Sequence, residues 1–269
     1  ACFILAGIDE KSLLQAVETA VDMNKNGDYG IPVPDYVEEN ISTKYGDAPT
    51  ISILEIENKE VAYIPRHSAG HSVPPHKINY RANIEALNII GVNQIFATNS
   101  VGSLDTNIQP GSLLIPDNFI DFTHNRASTF YDEEVVHIDC TEPYCKNLRN
   151  ILISSGDVHP YGIYIATEGP RFETGAEIQF YKLIGGKVVG MTGVPEAVLA
   201  REKQMCYGSI CAVSNYAASI SPHKLTIKEV VDAMKDCEEQ LIQILRKSIK
   251  KTKENLNCEC QNILNDAII

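Results

Sequence analysis

The run Gln94-Ile95-Phe96-Ala97-Thr98, followed at once by Asn99-Ser100-Val101-Gly102-Ser103, decides the fold class. Five β-prone, uncharged residues read as a buried strand, and the five small or polar ones as the turn that ends it. Upstream, residues 79–88 carry apolar side chains at helical spacing, and Gly91 stops the element. Residues 51–56 and 60–64 read as strands, and so do 113–116, 162–166, 187–190 and 209–214 further on. Helical patterns occupy 174–183 and 195–204, and a long amphipathic one spans 225–248. Strands alternating with helices imply βαβ units, hence an α/β chain with a largely parallel sheet. No repeat and no Pro-, Gly- or Ser-rich linker divides the chain. One domain over residues 1–250 is expected, followed by a tail, 251–269, of no legible role.

The 269 residues carry 35 Asp and Glu against 23 Lys and Arg, a net charge of -12. That balance disfavours nucleic acid as a general partner, because neutralising phosphates needs a basic surface. With 44% hydrophobic and 22% charged residues, a core of ordinary size is available. No apolar run approaches the length of a membrane span. The opening Ala1–Gly7 stretch lacks a basic flank and is too short for a signal peptide, so a cytoplasmic protein is expected. Eight cysteines stand at 2, 140, 145, 206, 211, 237, 258 and 260, with no Cys-x-x-Cys pair, and read as reduced thiols. Cys258-Glu259-Cys260 has a spacing open to metal or oxidation, but no second Cys or His cluster is adjacent in sequence.

Ligands of open α/β sheets sit at the carboxyl ends of the strands. Four polar clusters fall there. Arg66-His67-Ser68-Ala69-Gly70-His71 suits an anion, and is equally readable as a solvated loop. Asn99 to Ser103 can present backbone N–H groups, as many strand–helix turns do. Glu168-Gly169-Pro170-Arg171-Phe172-Glu173-Thr174 offers a ring for stacking and a carboxylate for a ring N–H, or is simply a helix start. In Gly190-Met191-Thr192-Gly193-Val194-Pro195-Glu196 a hydroxyl precedes a Pro-started helix, a place where anions bind.

These clusters in this order, with Pro74-Pro75-His76-Lys77-Ile78-Asn79-Tyr80-Arg81-Ala82-Asn83, Val101-Gly102-Ser103-Leu104 and Pro110-Gly111, resemble the trimeric purine nucleoside phosphorylase and 5′-methylthioadenosine phosphorylase family. Met191-Thr192-Gly193-Val194-Pro195-Glu196-Ala197 resembles the version carried by the 6-oxopurine and methylthioinosine phosphorylases. The resemblance implies a single-domain α/β fold, a twisted mixed sheet flanked by helices, assembled as a homotrimer. It implies a pentosyltransferase of purine salvage with no cofactor, whose partners are a purine nucleoside and inorganic phosphate as co-substrate, with no nucleic acid and no membrane. Arg66, His67 and Thr192 would hold phosphate, helped by Asn99 and Ser100. Met191 would pack on the ribose, Phe172 would face the base, and Glu173 and Asn215 would bond its edge, so that Asn215, Arg66 and His67 carry the catalysis. Adenine-selective relatives place an Asp at the position of Asn215 and usually another two residues on, where this chain has Ala217. Ile227 falls where nucleoside-specific members carry a His for the 5′-hydroxyl, which implies an apolar 5′ pocket suited to a methylthio group.

The chain departs from the family at its start. Where members carry a Gly-Gly-Thr-Gly phosphate turn, it reads Ala6-Gly7-Ile8-Asp9-Glu10, with no hydroxyl and two carboxylates beside a dianion site. Phosphorolysis of inosine, guanosine or 5′-methylthioinosine is therefore the leading expectation. A methylthioadenosine phosphorylase and a degenerate purine-binding member without turnover remain open beside it.

Overall fold

A computed structural model describes residues 2–6, 37–221, 227–254, 258–265 and 267, with residues 2–6 and 227–236 by their backbone only. The sheet is built around one strand. Running from Gln94–Ser103, it is buried at every residue but Ser100, so both its faces are covered. In chain order the strands are β1 (Cys2–Ala6), β2 (Val37–Glu39), β3 (Ser42–Thr43), β4 (Gly46–Asp47), β5 (Ile51–Ile56), β6 (Lys59–Pro65) and β7 (Gln94–Ser103). After them come β8 (Leu113–Leu114), β9 (Asn118–Phe122), β10 (Ile163–Thr167), β11 (Gly186–Gly190) and β12 (Cys206–Tyr216). The helices are α1 (Tyr80–Ile89), α2 (Lys146–Ile153), α3 (Gly175–Leu183), α4 (Glu196–Glu202) and α5 (Ile227–Lys251).

The main sheet is mixed and has ten strands in the order β2-β5-β6-β1-β7-β11-β10-β9, with β12 joining β7 to β8. Strands β6, β1, β7 and β12 run parallel, as do β11, β10 and β9. The two parallel groups meet where Gly102 and Ser103 of β7 pair antiparallel with Val189 and Val188. This is the twisted mixed sheet of the expected single α/β fold. Helix α1 packs on α4, while α2 and α5 cover β12.

The sequence reading stops the central strand at Thr98, and the structure carries it on to Ser103. Asn99 to Ser103 look like a turn because they are small and polar, yet each is paired with β12. Ladder partners and burial override a weak local preference. Strand β9 and helix α2 are absent from the sequence reading; α2 has only two buried residues, Leu148 and Leu152, one turn apart. On β12 the register shifts between Val213 and Asn215, a bulge that re-aims the strand end.

Tight backbone approaches fix the site end of the sheet. A methyl group on Gly190 would overlap the Tyr164 hydroxyl and lie 3.0 Å from Cζ of that ring, and one on Gly193 would lie 3.0 Å from Cε1. Tyr164 is buried and its ring fills the space both glycines leave. Gly190→Ala is predicted to cost about 1–3 kcal/mol of stability, read as a lowered denaturant midpoint at unchanged slope. Wild-type stability in this variant would mean that Tyr164 has room to move.

Candidate active site

Arg66 follows directly on the end of β6, and its side chain is fully buried. Its Nε donates to Glu196 Oε2 at 2.6 Å, Nη2 donates to Glu196 Oε1 at 2.7 Å, and Nη1 donates to Thr98 O at 2.9 Å. Glu196, the first residue of α4, also accepts from the Tyr207 hydroxyl at 2.7 Å. Burial alone favours a neutral Arg66, but the charge and hydrogen bonds of Glu196 outweigh it and hold the guanidinium above its ordinary range. Burial, and then the Glu196 charge, push the Tyr207 phenol well up, so it remains a donor. Three of the five guanidinium N–H groups are used in these bonds, and two remain.

His67 is nearly buried, and its Nδ1 lies 2.8 Å from Val73 O. A carbonyl only accepts, so Nδ1 carries the proton and Nε2 keeps its lone pair. Burial pulls the His67 pKa down to about 4, with the charges of Arg66 and His71 adding to it against the carbonyl bond. The imidazole is neutral at pH 7. It stacks on His71, with ring centroids 4.0 Å apart, and Ser68, Gly70 and His71 all adopt positive φ to turn the loop.

Thr192 and Asn99 come together: Thr192 Oγ1 donates to Asn99 Oδ1 at 2.8 Å, and Asn99 Nδ2 donates to Ser209 Oγ at 2.8 Å. The amide of Asn99 is thus engaged on both sides, which suits it to orienting Thr192. Backbone N–H groups of Thr192 and Gly193 donate to the Tyr164 hydroxyl at 3.3 and 3.2 Å. Burial pushes the Tyr164 phenol up to about 12. Ser100, next to Asn99, is exposed.

Met191 lies against the backbone of Gly169, where a methyl group would come 3.2 Å from its Cγ. Its carbonyl accepts from Arg126 Nη1 at 2.7 Å. Arg126 also donates to Val194 O, Glu168 O, Thr167 O and the Tyr80 hydroxyl, while Glu168 accepts from the backbone N–H of His124 and Asn125. One nearly buried guanidinium therefore ties together the chain after β9, β10 and β11. Those backbone donors and Arg126 hold the Glu168 carboxyl below its usual range, against the opposing effect of burial.

At the far side, Glu173 accepts from the Thr167 hydroxyl through Oε1 at 2.7 Å, which leaves Oε2 available. Asn215 Oδ1 accepts from Ser214 Oγ at 2.7 Å, and Nδ2 donates to Tyr216 O at 2.9 Å. A methyl group on Gly102 would sit 3.3 Å from that Nδ2 and 3.5 Å from the methyl of buried Ala217, so a glycine here lets three strand ends close up. Phe172, by contrast, is 73% exposed. Ile227 opens α5, but its side chain is outside the described residues, and so is the Gly7-Ile8-Asp9 stretch.

The sequence reading gave no role to Tyr80, Arg126, Tyr164, Glu196, Tyr207 or Ser209. Glu196 sat within a quoted block with no role of its own, and Arg126 lies in an irregular stretch with no motif around it. Arg66→Met leaves Glu196 buried without a counter-ion and is predicted to cost about 3–5 kcal/mol in chemical denaturation. Adding Glu196→Leu to it should recover most of that loss. A single-variant cost below about 1 kcal/mol would contradict the pairing.

A family model described as the phosphorylase superfamily matches residues 32–250. The chain is 56% identical over 228 residues, 85% of its length and 81% of the relative's, to a probable S-methyl-5′-thioinosine phosphorylase of Methanothermobacter thermautotrophicus. It is 45% identical over 255 residues, 90% of its length and 96% of the relative's, to the 6-oxopurine nucleoside phosphorylase of Pyrococcus furiosus. Among solved structures, a methylthioadenosine phosphorylase sourced from an antarctic soil metagenomic library is similar with a TM-score of 0.86 at 26% identity, covering 100% of this chain and 91% of that one. With a model spanning most of its length and relatives about half identical over nearly all of it, the chain belongs to the phosphorylase superfamily.

Proposed function

We propose that the protein cleaves 6-oxopurine nucleosides with phosphate, releasing the free base and a ribose 1-phosphate or its methylthio analogue, as a purine-salvage pentosyltransferase. The observation that carries the base preference is the Asn215 amide at the end of β12. The Tyr216 carbonyl fixes which side of the amide carries the nitrogen, and one N–H remains to donate. The names of the relatives that are nearly half identical support the same substrate class.

In this reading phosphate sits at the ends of β6, β7 and β11. The two remaining N–H groups of Arg66, the Thr192 hydroxyl and Ser100 face it, and Asn99 acts through Thr192. Neutral His67 accepts a hydrogen bond from the hydroxyl of hydrogen phosphate at Nε2. Phosphate oxygen attacks C1′ as the bond to the purine nitrogen breaks, so positive charge builds on the sugar and negative charge on the leaving base. Phosphate is itself the nucleophile, and the protein's task is positioning and charge stabilisation. The free N–H of Asn215 donates to N7 or O6, where that negative charge collects. Met191 packs on the ribose and Arg126 holds it there. No cofactor enters this scheme.

A 6-oxopurine presents N1–H, which complements the free Oε2 of Glu173. Adenine presents a lone pair there. Ala217 removes the second acceptor that an amino group at C6 would seek. Ile227 is assigned to the 5′ pocket, which favours a methylthio group, and Phe172 to the face of the base. A homotrimer fits the surface: Phe172, Phe180 and Leu183 are exposed apolar side chains that a subunit contact would cover. No described helix is long and apolar enough to cross a membrane, and a cytoplasmic location goes with the reading.

The test is a substrate panel in phosphate buffer. Each buried group left unpaired costs about 1–3 kcal/mol, so two mismatches give inosine-type substrates roughly a hundredfold advantage in kcat/KM over adenosine-type ones. Asn215→Asp should narrow or reverse that gap. Equal efficiency of the unmodified protein on methylthioinosine and methylthioadenosine would contradict the roles of Glu173 and Asn215.

A further inference from the structure

Four cysteines from three distant parts of the sequence meet at the other end of the sheet. Cys145 occupies the cap position before α2, Cys206 opens β12, and Cys258 and Cys260 come from the tail after α5. Their four Sγ atoms all lie within 4.8 Å of one another, and Cys206 and Cys258 are 3.2 Å apart. Cys145, Cys206 and Cys260 are buried within the largest apolar cluster. We propose that these four residues form a tetrathiolate site for a thiophilic divalent cation, zinc in the first instance, that clips the C-terminal tail to the body of the enzyme.

The geometry favours a metal over mere thiol packing. Zinc–thiolate bonds of about 2.3 Å in a tetrahedron put the sulfurs about 3.8 Å apart, so the observed spread needs shifts of an ångström or less. Two adjacent disulfides would also gather four sulfurs, but a disulfide needs its sulfurs about 2.05 Å apart, whereas Cys206 and Cys258 stand 3.2 Å apart. A four-sulfur, oxygen-free donor set selects zinc among the common divalent ions and leaves no open position, which marks a structural site.

Position in the fold supports the same role. Cys206 and Asn215 are nine residues apart on β12, roughly 30 Å of strand, so the sulfurs stand well away from the purine end. The backbone around the cluster is already tied down. Cys145 N–H donates to Tyr207 O at 2.8 Å, Cys206 N–H to Asn93 O at 2.8 Å, and His137 N–H to Ala267 O of the tail at 2.8 Å. Two ligands are thus preset on the body, and the short helical turn Glu259–Asn262 with its cap residue Cys258 delivers the other two.

The full-length protein, expressed with zinc in the medium and purified under reducing conditions, should carry about one zinc per chain by elemental analysis. Alkylation followed by peptide mass mapping should find Cys145, Cys206, Cys258 and Cys260 protected, and a thiol-reactive mercurial should release the metal and lower Tm. Cobalt added to the reduced, metal-free protein should give sulfur-to-cobalt charge-transfer and intense tetrahedral ligand-field bands that saturate at one equivalent. Replacing both tail ligands, Cys258→Ser with Cys260→Ser, should abolish the bands while the far-ultraviolet circular dichroism is kept. Should that variant misfold, cobalt titration and protection mapping of the unmodified chain still decide. The proposal is overturned if the reduced protein takes up no zinc or cobalt, if the bands survive in the double variant, or if the four thiols emerge from reducing purification paired as disulfides.

Discussion

Arg66 and Glu196 meet where no water reaches, and the strand ends proposed to hold phosphate are organised around keeping that pair intact. A guanidinium in such a place must have its counter-charge and its hydrogen bonds supplied by the chain, or its desolvation would unfold the site. Glu196 supplies the charge, Thr98 O an acceptor, and Tyr207 a second donor to the carboxylate. Four elements are pinned in consequence: the exit of β6, the middle of β7, the start of α4 and the start of β12. Thr192 stands four residues before Glu196, so its position is set from both ends, by the ion pair and by Asn99.

A second guanidinium does the same for the chain around Met191. Arg126 gathers carbonyls at 167, 168, 191 and 194. Orphan carbonyls at strand ends are costly when buried, and a single five-donor group satisfies several at once. The outcome is a rigid wall carrying Met191. Its rigidity matters for a reaction whose catalysis is chiefly placement of two reactants and stabilisation of a leaving anion.

Most of the architecture was legible in the residues. Strands 51–56 and 187–190 and the helix beginning near Thr174 announce themselves through apolar runs and a Thr-Glu capping box. The end of β7 did not, because Asn99 and Ser100 look like turn residues until β12 lies beside them. The family resemblance grouped Arg66, His67 and Thr192, with Asn99 and Ser100, as a phosphate set; the structure brings Asn99 onto Thr192 and ties Arg66 to Glu196, a carboxylate with no assigned role in the sequence. Contacts of this kind depend on residues 130 positions apart, such as Arg66 and Glu196, and no local pattern encodes them. The same holds for the sulfurs of Cys145 and Cys206 and their meeting with the Cys258-Glu259-Cys260 motif.

Phosphorus-31 spectroscopy of the enzyme with inosine and inorganic phosphate tests the central claim most directly. The account predicts that the phosphate signal is consumed and a pentose 1-phosphate resonance appears in step with free hypoxanthine, with no cleavage when phosphate is left out. Hypoxanthine released together with free ribose at a constant phosphate signal, or no reaction at any phosphate concentration, would contradict it.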